Sequence, residues 1–301
     1  MGRSVLIGLA ASVASAAPVL LRARRENAPN SAAVAATALL LACTALPAVA
    51  AAQPSAGNAA FLDRCTVIVT GTDLRSRSSG MAQCLRRVVA KASGDPALTD
   101  DPRLEDVASR AGTLAESFAY FDRLSDIPHH DEQGSRDRPF DLIVDFDPAK
   151  VDAVLAALGT TAWRDRPALV VAVSVKDQQG GEYLLSADGA DGERQREALF
   201  AAADRFGMRV ILLPEQELRA QGATGPEVVA QAARTVRSTK LAALTGTLVW
   251  SDADSGWVGT WHVEGRRDGS WGIRGVSFDE AFRDAVGGAA AVLSGHHAGV
   301  H

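Results

Sequence analysis

The sequence predicts an α+β fold of two small α/β modules, near residues 62–160 and 161–295. Three observations carry this reading. Short runs rich in β-branched residues recur between stretches whose apolar residues fall at helical spacing. The run 168–173 is near-continuously apolar, as in a strand covered on both faces, and 208–213 reads as another buried strand. Near the C-terminus, three alternating segments joined by polar turns form a meander with four of the five tryptophans. The second module is therefore expected to hold a mixed sheet, a Trp-rich three-strand meander and a C-terminal helix.

In the first module, Cys65-Thr66-Val67-Ile68-Val69-Thr70 reads as a strand stopped by Gly71. Ser78 or Ser79 caps a helix whose apolar face is Met81, Cys84, Leu85, Val88, Val89 and Ala92, closed by Gly94-Asp95-Pro96. Residues 99–111 suggest a shorter helix with Pro102 in its first turn. Residues 118–124 suggest a strand, and 129–138 a polar loop. Phe140, Leu142, Val144 and Phe146 alternate with more polar positions, giving a strand with one buried face. Asp147-Pro148 starts a helix with the stripe Val151, Val154, Leu155 and Leu158, ended by Gly159.

In the second module, a Gly-rich loop (178–192) follows the first apolar strand. Residues 194–206 form an amphipathic helix through Leu199, Phe200, Ala203 and Phe206. Pro214 stops the next strand, and Gly225-Pro226 opens a helix carrying Val228, Val229, Ala232 and Val236. The meander covers 241–250, 257–264 and 270–276. Ser277-Phe278-Asp279-Glu280 is a capping box for a last helix through Phe282, Val286 and Leu293, before a frayed tail, 296–301.

Residues 1–50 read as a targeting segment and 51–61 as a linker. Arg22, Arg24 and Arg25 precede an apolar core, Ala38-Leu39-Leu40-Leu41-Ala42, then Pro47 and small residues. That is a secretory signal with cleavage near Ala50 or Ala52, and it places the protein in the periplasm. An uncleaved membrane anchor is the alternative. Residues 1–21 are either a mis-assigned start or an extension. Leu40-Leu41-Ala42-Cys43 resembles a lipobox, which makes Cys43 a candidate lipidation site. Membrane association is expected only if the segment stays uncleaved or Cys43 is lipidated.

The chain has 31 basic and 36 acidic residues, a net charge of −5. Residues 1–50 hold four arginines and one glutamate, so their removal leaves 27 against 35, or −8. This balance argues against a nucleic-acid partner. Cys65 and Cys84 remain as an even pair, a possible disulfide in an oxidising compartment. With the helix beginning at Ser78 or Ser79, Cys84 falls opposite the middle of the strand, so two separate buried thiols stay open as the other reading.

Trp257 and Trp261 share one face of their strand. They form either a ligand platform for a glycan or peptide, or a core face packed under the last helix. His129-His130-Asp131-Glu132 lacks a recognisable third ligand set. Thr70-Gly71-Thr72-Asp73 sits where phosphate loops sit but completes no phosphate-binding motif. No catalytic residues, cofactor or metal site are legible, and a non-enzymatic role is expected.

Several segments resemble the bacterial domain-of-unknown-function family numbered 2066, exported envelope proteins: 67–73, 89–95, 140–147, Trp163 with Arg166-Pro167, Phe206-Gly207-Met208, and Leu244-Thr245-Gly246-Thr247. Phe206 departs from that family, which usually has Arg there. The second half is similar, more loosely, to the amino-terminal α/β module of TolB. The resemblance implies an envelope accessory protein with an envelope protein partner, and it brings no catalytic residues. A small-ligand-binding protein and an unrecognised hydrolase are the alternatives.

Overall fold

The computed structural model describes residues 61–126, 138–220 and 240–296. The fold is α+β, with a three-stranded antiparallel sheet and a six-stranded mixed sheet. All of these residues fall in one compact unit that begins at Gln53. The targeting segment, the 225–236 helix and the His129-His130 loop lie outside the described residues.

The first sheet has the order β1-β3-β2, with β1 at Arg64–Thr70, β2 at Ala115–Asp122 and β3 at Pro139–Phe146. Alternation sends Cys65, Val67 and Val69 inward, opposite Val144, Leu142 and Phe140 of β3. Helix α1 (Leu74–Ser93) covers this face with Cys84, Leu85, Val88 and Val89. Its cap lies five residues before Ser78, because Asp73 accepts from the Arg75 and Ser76 amides at 2.8 and 3.2 Å. Gly94, at φ 80°, ends it in the left-handed conformation that glycine adopts without strain.

The single helix expected over 99–111 is instead a chain of short turns around α2 (Glu105–Ser109). Asp95 and Asp101 each cap a turn of their own, and Pro102 has no N–H to continue a helix begun before it. Helix α3 (Pro148–Ala157) starts at Asp147, whose carboxylate accepts from the Ala149 amide at 2.9 Å.

In the second sheet, β4 (Ala168–Lys176) is central and buried on both faces. One flank pairs in parallel with β7 (Leu241–Ser251). The other pairs in parallel with β6 (Val210–Leu212) and antiparallel with β5 (Glu182–Leu184). Strand β5 thus occupies part of the expected Gly-rich loop. Strands β8 (Gly256–Val263) and β9 (Ser270–Val276) complete the meander. Helices α4 (Glu193–Phe206) and α6 (Phe278–Ser294) cover one face, and the short α5 (Glu215–Ala220) places Leu218 on the other. Ser277 caps α6 by accepting from the Glu280 amide.

The buried face of α4 is Ala198, Leu199, Ala202 and Ala203. Phe200, expected in the core, is 46% exposed. The helix packs against α6 through small residues, and that contact rotates Phe200 outward.

Candidate functional site

The two sheets keep separate apolar cores, and a polar seam joins them along the C-terminal end of α1. Arg166 is its centre. Its guanidinium donates to the Trp163 carbonyl at 2.7 Å, Phe206 at 2.7 Å and Ala92 at 3.0 Å, and also to Lys91. It therefore satisfies terminal carbonyls of both α1 and α4, which carry the partial negative ends of two helix dipoles. Its face stacks on the Trp163 ring at 4.6 Å. Burial pushes the Arg166 pKa down to about 10, and the neighbouring Arg164 adds to this.

Lys91 lies beneath the same seam, 6% exposed. Its ammonium donates to the Phe61 and Arg64 carbonyls. Burial brings its pKa down to about 8, with Asp204 opposing and Arg166 reinforcing the shift.

Beside the seam opens a cleft of about 320 Å³ between the start of β1 and helices α1, α4 and α6. Arg87, Arg205 and Arg283 enter it from one helix each, all half-buried. Burial is the first cause of the lowered pKa of Arg87, and Arg205 and Arg283 are the next. Burial and Arg283 likewise lower Arg205, while Glu280 and Asp100 oppose. Arg283 pairs with Glu280 on its own helix. Arg87 and Arg205 border a second hollow beside Asp100, and Arg205 and Arg283 border a third beside Asp100, Glu280 and Asp284.

Of the described candidate site residues read from the sequence, Cys65 lines the cleft, and Cys84, Trp257 and Trp261 do not. Cys65 and Cys84 are joined in a buried disulfide with Cα atoms 5.4 Å apart. The early start of α1 explains the approach. From Leu74 to Cys84 the helix descends about 15 Å at ~1.5 Å per residue, matching the roughly 16 Å that the strand climbs from Cys65 to Thr70. Cys43 lies outside the described residues.

Trp257 and Trp261 are 8% and 2% exposed, under α6. Trp257 meets Phe278 edge-on at 6.3 Å, and Trp261 lies against Phe282 at 6.0 Å. A ligand cannot stack on them, so the platform expectation gives way to core packing. Trp271 donates its indole N–H to Asp284 at 3.1 Å, and burial raises the Asp284 carboxyl pKa. His262 contacts Ser270 at 2.7 Å, and His296 contacts Thr160 at 3.2 Å. Asp73 is a helix cap. Among the described residues no group of three or more His, Cys, Asp or Glu could hold a metal ion, and no helix is long and apolar enough to cross a membrane.

The arginine cleft is not legible in the sequence because its three cations lie on helices far apart in the chain. The only local signal was the placement of single arginines at the borders of apolar stripes, a pattern shared by any solvated helix face.

Residues 56–164 match the profile of a domain of unknown function, DUF8605, which spans the first sheet and α1 to α3. This finding overturns the resemblance to the family numbered 2066, which is a different domain of unknown function, and no likeness to the TolB module is found. No curated protein and no solved structure matches the chain.

Proposed function

We propose that the protein is exported and acts in the periplasm as a non-enzymatic accessory or interaction protein of the cell envelope. The observation that carries this reading is the buried Cys65–Cys84 disulfide, which ties β1 to α1. Such bonds persist in oxidising compartments and are rare where thiols are kept reduced. The secretory pattern of residues 22–52 supports the same location.

An interaction role draws support from the outer face of the first sheet. Ile68 is 59% and Phe121 58% exposed, on either side of Asp141 of β3. Half-buried Ile143 and exposed Ala119 continue the face. Exposed apolar residues interleaved with charged pairs, here Arg64–Asp145 and Arg123–Asp141, support a protein-binding surface.

The test has two parts. Intact mass of the protein from its native host, with thiol counting on denatured, unreduced material, reads location and chemistry together. The expected result is a chain cleaved near Ala50 or Ala52 with no free thiol from Cys65 or Cys84. A lipid adduct on Cys43 would make it a lipoprotein, and an intact N-terminus a membrane-anchored protein. A cytosolic chain with both thiols free would refute export. Photo-crosslinking from position 68 in cells then reads the interaction, with one dominant envelope protein expected. Crosslinks no different from those of an exposed control position would refute it.

A further inference from the structure

The arginine cleft gathers three cations, of which only one is held in an ion pair among the described residues. Arg87 and Arg205 form no ion pair among the described residues, and Arg283 has only Glu280. The other cations lining the cleft are already engaged: Arg64 by Asp145 and Lys91 by two carbonyls. The carboxylates lining the cleft and its neighbouring hollows are Asp100, Asp204, Asp279, Glu280 and Asp284. Half-buried like charges repel more strongly than solvated ones, and a chain of net charge −5 gains nothing in solubility by gathering them. An anion settling among them would relieve that repulsion.

We propose that this cleft binds a phosphate monoester of a small polar body, with Arg87, Arg205 and Arg283 holding the phosphate. Guanidinium presents paired N–H donors that match phosphate oxygens, and a dianion offsets several cations where a carboxylate offsets one. The volume, about 320 Å³, is at the small end of ligand sites and leaves room beyond the phosphate for a body about the size of one sugar. Ala198, Ala201 and Ala202 of α4 keep that space open, and Thr66 and Phe61 face it from the other side. The inference does not depend on where the protein resides.

Titration calorimetry of the full-length protein with glucose 6-phosphate and glycerol 3-phosphate tests it, with gluconate and ionic-strength-matched potassium chloride as controls. Saturable binding of at least one ester is expected, at least about tenfold tighter than gluconate. Arg87→Gln and Arg205→Gln should each weaken it about tenfold or more, as loss of a charge-assisted bond does. Without ligand, both variants should melt at or above the wild-type temperature, since each removes repulsion. That readout separates a lost site from a damaged fold.

Absence of saturable binding up to ~10 mM ester, far weaker than an ordinary ligand site, would overturn the proposal. So would equal binding by both variants. Binding to phosphatidic acid vesicles without binding of either soluble ester would place the phosphate on a lipid and equally overturn the small-ligand reading.

Discussion

Replacing Arg166 with methionine should destabilise the protein by about 3 kcal/mol, because a single guanidinium satisfies both helix ends at the seam. It reaches the Trp163, Phe206, Ala92 and Lys91 carbonyls. At the low end of about 1.5 kcal/mol for a hydrogen bond to a charged group, these four are worth ~6 kcal/mol. Burial of the charge opposes them. The displacement of its pKa from 12.5 to about 10 corresponds to roughly 3 kcal/mol, which the substitution returns. The difference, about 3 kcal/mol, is a large share of the 5–15 kcal/mol typical of a folded domain. Arg166→Lys keeps the charge but has no planar fork to span two helix termini, and it should lose about half as much.

Urea unfolding read by tryptophan fluorescence and by far-UV circular dichroism checks this. Trp250, Trp257, Trp261 and Trp271 all belong to the second sheet, so fluorescence reports mainly on that half. In the methionine variant the two curves should separate, because the halves lose their shared anchor. A loss below about 1 kcal/mol with coincident curves would refute the reasoning, since the desolvation cost would then cancel the carbonyl contacts.

Three further outcomes are expected. Lys91 has a folded pKa of about 8 against 10.5 ordinarily, so the unfolded chain binds more protons between these values, and stability should rise with pH across that window by up to about 3 kcal/mol. Denaturant titrations at pH 7.5 and 10 should show this rise in the wild type and not in Lys91→Met; equal slopes would rule out the buried ammonium as its source. Gly246→Ala places a Cβ 2.3 Å from the Trp261 ring and 2.5 Å from the Thr260 carbonyl, which should cost about 1–3 kcal/mol by overpacking and shift tryptophan emission to the red; an unchanged midpoint and spectrum would contradict that packing. Reducing the disulfide, which closes a 19-residue separation, should lower stability by about 3 kcal/mol, read as a drop in the urea midpoint with dithiothreitol that a Cys65→Ala/Cys84→Ala variant does not show.

Local patterns in the sequence determined the strands and most helices, because period and capping act within a few residues. Cys65, Val67 and Val69 alternate with Thr66, Ile68 and Thr70 and become the inner face of β1. Ser277 and Glu280 start α6 as their spacing requires. The boundaries that differ from the sequence pattern had local competitors of nearly equal strength. Asp73 outcompeted Ser78 and Ser79 as the α1 cap, and Asp101-Pro102 broke the expected helix into turns. Which face of an amphipathic segment turns inward is a different matter, since it depends on what packs there. Phe200 points to solvent because α6 accepts the small side chains of α4. Trp257 and Trp261 are core because α6 lies over them, and Gly246 leaves room for the Trp261 ring. The seam around Arg166 and the cleft of Arg87, Arg205 and Arg283 exist only once distant helices meet. The charges were visible along the chain, but their proximity, burial and mutual repulsion are properties of the tertiary structure.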